Sequence, residues 1–267
     1  MALVYAIIHN GNGDFIICTK NVRGYFFHSN AGGGSIIPAG QLLRGGGLNA
    51  FPGGTPDVGG IVDGAREEAE EELAIELGTG NNNPATYIGN GGEYYGVYFN
   101  VGVSFDDTRA EIAAHLLNGR NAARAVVAGH YTQNDQYEEL MNNFSVCPPD
   151  NELASAEVWN VFYNSAEIDN LRRSRYTDWF YNMIINLEMA LFPIVIKDFS
   201  GRTVGIAKTM AIYPGPQYSV DYILFNAGLD MRGQYSLESG GMRYRNLVLD
   251  EMPNQRGFAM FRPYEND

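Results

Sequence analysis

Apolar and polar positions alternate between two periods along this chain. Residues 3–8 and 15–19 are apolar runs rich in β-branched and aromatic side chains, separated by His-Asn-Gly-Asn-Gly-Asp at 9–14. Runs of that length flanked by turn residues predict a hairpin. Over 63–77 the period changes: Ala65, Ala69, Leu73 and Leu77 recur at every fourth position, which predicts a helix with one core-facing stripe. Asp63 is its expected N-cap and Gly78 its expected stop. Strands are predicted at 85–88 and 94–105, then a helix at 107–129 with Ile112, Leu116 and Leu117 on one side. Residues 131–152 are polar and fit neither period. A strand at 157–162 precedes helices at 167–173 and 177–191. After Pro193 strand patterns return at 194–196, 203–206, 218–225, 243–249 and 258–261. Residues 22–50, with Gly32-Gly33-Gly34 and Gly45-Gly46-Gly47, read as a long ordered loop carrying short strands. A boundary falls near Phe192-Pro193, giving domains 1–192 and 193–267, the second mostly β.

Charge narrows the partners. The 267 residues carry 31 Asp+Glu against 18 Lys+Arg, a net charge of −13. That excess repels a phosphate backbone and excludes a nucleic-acid coating function. A small anionic ligand is compatible, because a bound cation reverses the local field. Two cysteines far apart, Cys18 and Cys147, form neither a disulfide framework nor a zinc signature. The first apolar run lacks a basic leader, and the apolar stretch near 183–196 is interrupted by Asn186, Glu188 and Pro193. The expectation is a cytoplasmic protein with no membrane partner. Trp159 and Trp179 are expected in the core, and the four histidines have no ligand spacing.

The densest chemistry lies at 53–75. Gly53-Gly54 follows Phe51-Pro52, and the helix that comes after carries six acidic residues, Asp63, Glu67, Glu68, Glu70, Glu71 and Glu72. Glu68, Glu71 and Glu72 stand at i, i+3 and i+4, on one helix face, where like charges repel. A divalent cation is the natural compensation: Mg²⁺ takes carboxylate oxygens, waters and substrate phosphates. Glycines before such a helix let the backbone approach a ligand closely.

These residues resemble the Nudix hydrolase box: glycine, five residues, glutamate, seven residues, then Arg-Glu-apolar-any-Glu-Glu-any-Gly-apolar. Two registers fit. In one, Arg66-Glu67 and Glu70-Glu71 match, and the opening glycine falls on Pro52. In the other, which we prefer because it turns Ala69 toward the core, Gly53 opens the box. Glu68 and the pair Glu71-Glu72 then match, with Ala69 and Ile75 at the apolar positions. Gly59, Glu67 and Ala74 stand where the family has Glu, Arg and Gly. The hairpin 3–19, the Phe-Pro-Gly-Gly lead-in and the strand and helix from Glu157 resemble the family's flanking elements. Residues 22–49 and 106–154 would be insertions.

The resemblance implies an α/β fold, a Nudix-like α/β/α sandwich around a mixed sheet, extended by the β-rich C-terminus. It implies Mg²⁺- or Mn²⁺-dependent hydrolysis of the diphosphate in a nucleoside diphosphate derivative of ADP-ribose, nucleotide-sugar or dinucleotide type. Glu68, Glu71 and Glu72 would hold the metal. The base would be a box glutamate or one of Glu93, Glu139, Glu152 and Glu157, with Glu157 preferred from its place on the closing strand. Gly53 and Gly54 would approach the ligand, and the nucleobase would stack on aromatics among Tyr25, Phe26, Phe27, Tyr94 and Tyr95, with Tyr25 and Tyr95 carried forward. The alternative is a catalytically silent nucleotide- or protein-binding domain, suggested by Gly59 and Glu67. Exposed C-terminal strands would pair two chains as a homodimer.

Overall fold

The computed structural model describes every residue except 1, 30–31, 57–58, 90–91, 214–216, 226–229, 252–255 and 265–267. The chain divides into two compact units, Met1–Trp159 with Ala166–Ile184, and Asn160–Ser165 with Ile185–Asp267. No helix among the described residues is long and apolar enough to cross a membrane.

The elements of the N-terminal part run β1 (Ala2–His9), β2 (Asp14–Lys20), β3 (Arg23–His28), β4 (Gly34–Leu42), β5 (Asn49–Ala50), β6 (Gly53–Gly54) and α1 (Ile61–Leu73). They continue with β7 (Asn81–Gly89), β8 (Gly92–Asn100), α2 (Phe105–Val127), α3 (Tyr137–Asn143), β9 (Leu153–Asn160), α4 (Ser165–Leu171) and α5 (Asp178–Leu191). Seven strands form one mixed sheet in the order β5-β2-β1-β8-β7, with β6 also on β1 and β9 also on β2. The β1–β8 pair is parallel, Ala2 to His9 against Glu93 to Asn100, and β1–β2, β1–β6 and β7–β8 are antiparallel. Successive residues of a strand face opposite ways, yet Val4, Ala6, Ile7 and Ile8, like Phe15, Ile16, Ile17 and Cys18, are all buried. Both faces of the sheet are therefore covered. On one face Gly64 of α1 lies against Val4; on the other the Tyr5 ring meets Phe180 of α5 edge-on, with centroids 5.0 Å apart.

The glycine-rich segment is more regular than a loop: β3 and β4 pair as an antiparallel hairpin. Phe26 and Ile36 from the hairpin share a small core with Ala122 and Val126 of α2 and Tyr137 and Leu140 of α3. Apolar side chains thus anchor a segment whose composition alone suggests a linker.

Several expected boundaries move. α1 starts at Ile61 with Gly60 as its cap, so Asp63 sits in the first turn and pairs with Arg66 at 2.8 Å instead of capping. The helix stops at Leu73, ahead of Gly78, because Ala74 adopts a left-handed conformation (φ 56°) with its N–H on the Glu70 carbonyl. The strand expected to reach Phe105 ends at Asn100, and Phe105 opens α2. In α2, Ile112 and Leu116 are buried, but Leu117 is exposed.

The C-terminal unit adds β10 (Ile194–Asp198), β11 (Thr203–Ala207), β12 (Thr209–Tyr213), β13 (Gln217–Phe225), β14 (Gln234–Ser239), β15 (Met242–Glu251) and β16 (Arg256–Pro263). Their order is β11-β10-β14-β15-β16-β13-β12, and β11 also pairs with β13 at Gly205↔Phe225 and Ile206↔Leu224. That last pairing closes a six-stranded antiparallel barrel. Ile194, Ile196, Ile206, Leu237, Leu249 and Phe261 are among its buried residues. Closure removes most sheet edges; β12 is bonded on one side alone among the described residues, so edge pairing of two copies has little else to use.

Candidate functional site

A cavity of about 850 Å³ opens in the N-terminal unit. Its floor is set by two glycines. The backbone of Gly53 and Gly54 pairs with Tyr5 and Val4 of β1. A Cβ on Gly53 would stand 2.2 Å from the Val4 carbonyl oxygen, and one on Gly54 would stand 2.6 Å from the Glu68 carboxylate. Only glycine lets strand and acidic helix approach this closely. The Gly53 N–H donates to Glu72 Oε2 at 2.9 Å, which fixes the carboxylate that α1 turns inward.

Glu68, Glu71 and Glu72 all border this cavity, joined by Asp150 and Glu152 from the segment leading into β9. The Asp150 N–H donates to the Glu71 carbonyl at 2.9 Å, tying that segment to the helix. Glu72 is 3% exposed. Burial, and after it the charge of Glu152, raises its pKa well above the ordinary carboxylate range; Lys20 and the Gly53 N–H oppose the rise. Burial likewise pushes Asp150 up to about 7, with Glu71 and Glu152 adding to the effect against the His28 N–H.

Lys20, at the end of β2, is the cation that the acids of this pocket engage. Its Nζ lies 2.5 Å from Glu152 Oε2. Burial alone would lower its pKa, but Glu152, Glu72 and Glu68 more than offset that, and the pKa is raised. Arg66 does not reach the cavity; it is held by Asp63 and by the Gly78 carbonyl. Lys20, and not Arg66, is thus the cation paired with these acids. Nothing in its sequence neighbourhood marks it, because the pairing spans 132 positions, from 20 to 152.

The other wall is aromatic. Tyr94 and Trp179 stack with ring centroids 4.5 Å apart and planes at 17°, and Tyr5 stacks on Tyr94 at 6.5 Å. Trp179 is thus not only a core residue. Its buried Nε1 makes no hydrogen bond of normal geometry among the described residues, although the Tyr5 hydroxyl lies beside it.

Three of the sequence-derived site residues lie elsewhere. Glu157 is exposed, and its carboxylate receives the Trp159 indole N–H at 3.4 Å; the acids contributed from near β9 are Asp150 and Glu152. Tyr95 faces away from the cavity and donates its hydroxyl to Glu93 at 2.5 Å. Adjacent strand residues point to opposite faces, so Tyr94 takes the place expected of Tyr95. Tyr25 packs on the small core under the β3–β4 hairpin.

Among the described residues, no group of three or more His, Cys, Asp and Glu side chains converges closely enough to hold a metal ion as it stands. The two cysteines are free and buried, and burial raises both thiols, Cys147 to about 12.

No family model matches the sequence, and no curated protein matches it. Among solved structures, the chain is similar to the MutT protein from Methanosarcina mazei Go1, at 12% identity and a TM-score of 0.34, covering 71% of this chain and 94% of that one.

Proposed function

We propose that this cavity hydrolyses the diphosphate linkage of a nucleoside diphosphate derivative with the help of Mg²⁺ or Mn²⁺. The observation that carries the reading is the convergence on one cavity of Glu68, Glu71 and Glu72, the Gly53-Gly54 backbone, and the Tyr5–Tyr94–Trp179 wall. The donor chemistry fits the ion, since the acidic groups are hard carboxylates and, among the described residues, no thiol or imidazole lines the site. Glu71 and Glu72, with Glu68 beside them, would hold the metal. Such an ion would supply positive charge against the reacting diphosphate and a more acidic water.

The chain's own residues do the rest. The Gly53 N–H holds the Glu72 carboxylate in one orientation. Lys20 limits repulsion among the acids before a cation arrives. Tyr94 and Trp179, both largely buried, give the cavity an aromatic wall against which a nucleobase would lie. We assign the proton acceptor to Asp150 in place of Glu157, on its position at the cavity.

The test is nucleotide or phosphate release from a panel of nucleoside diphosphate derivatives with Mg²⁺ and Mn²⁺. Glu71→Gln and Glu72→Gln should each lose at least about 100-fold, since even partners of metal ligands are worth roughly 10–100-fold. Equal rates in the wild type and both variants would remove the assigned site.

A second reading is a silent binder of the same ligand. It draws on Gly59 and Glu67 at the family's Glu and Arg positions, and on the absence of a preformed three-ligand cage among the described residues. Calorimetry separates the two: a silent binder takes up nucleotide with no product over hours.

A further inference from the structure

The cavity holds two charges that its acids do not use. Besides Lys20, it is bordered by Arg44 and Arg175. Lys20 is consumed by Glu152. Among the described residues Arg44 makes no ion pair, and the Arg175 guanidinium is engaged by its neutral neighbour alone, donating to the Tyr176 hydroxyl at 2.6 Å and lying 4.8 Å from that ring's centre. Two uncompensated guanidinium groups at one cavity are unexpected in a chain with 31 acids and 18 basic residues, five of those acids lining the same cavity.

Their placement is built. The turn 43–48 carries Arg44 and is closed by two internal hydrogen bonds, Gly46 N–H to Leu43 at 3.1 Å and Leu48 N–H to Gly45 at 3.0 Å. It is fastened to the end of β2 by the Gly47 N–H on the Lys20 carbonyl at 2.9 Å. Gly45 has φ +73°, and a Cβ there would lie 3.4 Å from Tyr176 Cβ. The turn therefore abuts the loop between α4 and α5, and Arg44 and Arg175 each stand one residue from that contact.

We propose that Arg44 and Arg175 form a metal-independent anion subsite that takes a further phosphate of the substrate, apart from the diphosphate held at α1. A phosphate monoester carries close to two charges at neutral pH, and a guanidinium meets it with a two-pronged hydrogen bond. The substrate class becomes a nucleoside diphosphate derivative with an additional phosphate on the part that leaves. That class rests on the hydrolase reading; the anion subsite itself does not.

The probe is inorganic tripolyphosphate, titrated calorimetrically into the full chain with all divalent metal chelated. Without metal the carboxylates repel the probe, so uptake reports the arginines. Glu71→Gln should bind at least as tightly as the wild type, because one repelling carboxylate is gone, while Arg44→Gln and Arg175→Gln, both at exposed loop positions, should each weaken binding about tenfold, the worth of one charged hydrogen bond. No saturable binding by the wild type, or wild-type binding by the double variant, overturns the subsite. Tripolyphosphate binding with no turnover of any nucleoside diphosphate derivative would leave the subsite standing and sink the hydrolase reading. Turnover with unaltered binding in the double variant would do the reverse.

Discussion

His9 is buried at 5% exposure, and its Nδ1 accepts the Gly11 N–H at 3.0 Å, which commits the ring to its neutral form. Burial lowers its pKa from 6.5 to about 4. The unfolded chain therefore binds more protons than the folded one between those values. The stability contributed by neutral His9 is complete above pH 6.5 and is lost as pH falls toward 4, by about 3 kcal/mol at most. Asp150 acts in the opposite sense: its pKa is raised by burial to about 7, so its contribution is lost as pH rises. The two are separable by substitution. His9→Gln should lose less stability than the wild type between pH 6.5 and 4, read from denaturant midpoints; parallel curves would contradict the assignment. A neighbouring residue makes a harder demand. Gly53→Ala should destabilise by about 1–3 kcal/mol, since its Cβ would overlap the Val4 carbonyl. Thermal unfolding checks this, and an unchanged midpoint would mean that β6 does not pack on β1 as described.

At the scale of elements, α1 decides the site through both of its ends. Its core stripe was legible, because Ala65, Ala69 and Leu73 repeat at helical spacing and all three are fully buried. Its ends were not, since Gly60 and Ala74 cap by backbone conformation and no side-chain signal marks them. Ala74 holds φ 56°, where an L side chain is strained and glycine is not. Ala74→Gly should stabilise by about 1 kcal/mol, a rise of roughly 2–4 °C in Tm; a fall would show that the entropy of the unfolded chain outweighs the relieved strain. Ala74 is also the residue that the preferred register sets at the family's glycine. Strands β1 and β2 were readable as unbroken apolar runs. At 22–50 the short strands were expected but their pairing as a hairpin was not, and α3 was missed, because each contributes few buried residues, Phe26 and Ile36 in one and Tyr137 and Leu140 in the other. In the C-terminal unit β12 and β14 escaped notice; β14 buries just Tyr235 and Leu237.

Across the whole molecule, what a single sequence revealed of the site was local. The three glutamates and the two glycines lie within 20 positions, and helix and strand periods bring them together. Lys20, Asp150 and Trp179 come from distant segments that neither period relates to α1, and Glu152, equally distant, was named as one of four candidate bases. Glu157 lies exposed on β9, past the acids at 150 and 152 that border the cavity, and Tyr95 lies one position from Tyr94, on the opposite face of β8. The central claim is that the carboxylates of α1 hold a divalent cation inside this cavity, and diffraction at the manganese edge from crystals soaked in Mn²⁺ tests it most directly. The account predicts an anomalous peak about 2 Å from carboxylate oxygens of Glu71 and Glu72, the spacing of a hard octahedral ion. Peaks confined to other acids of the surface, with none bordering α1, would contradict it.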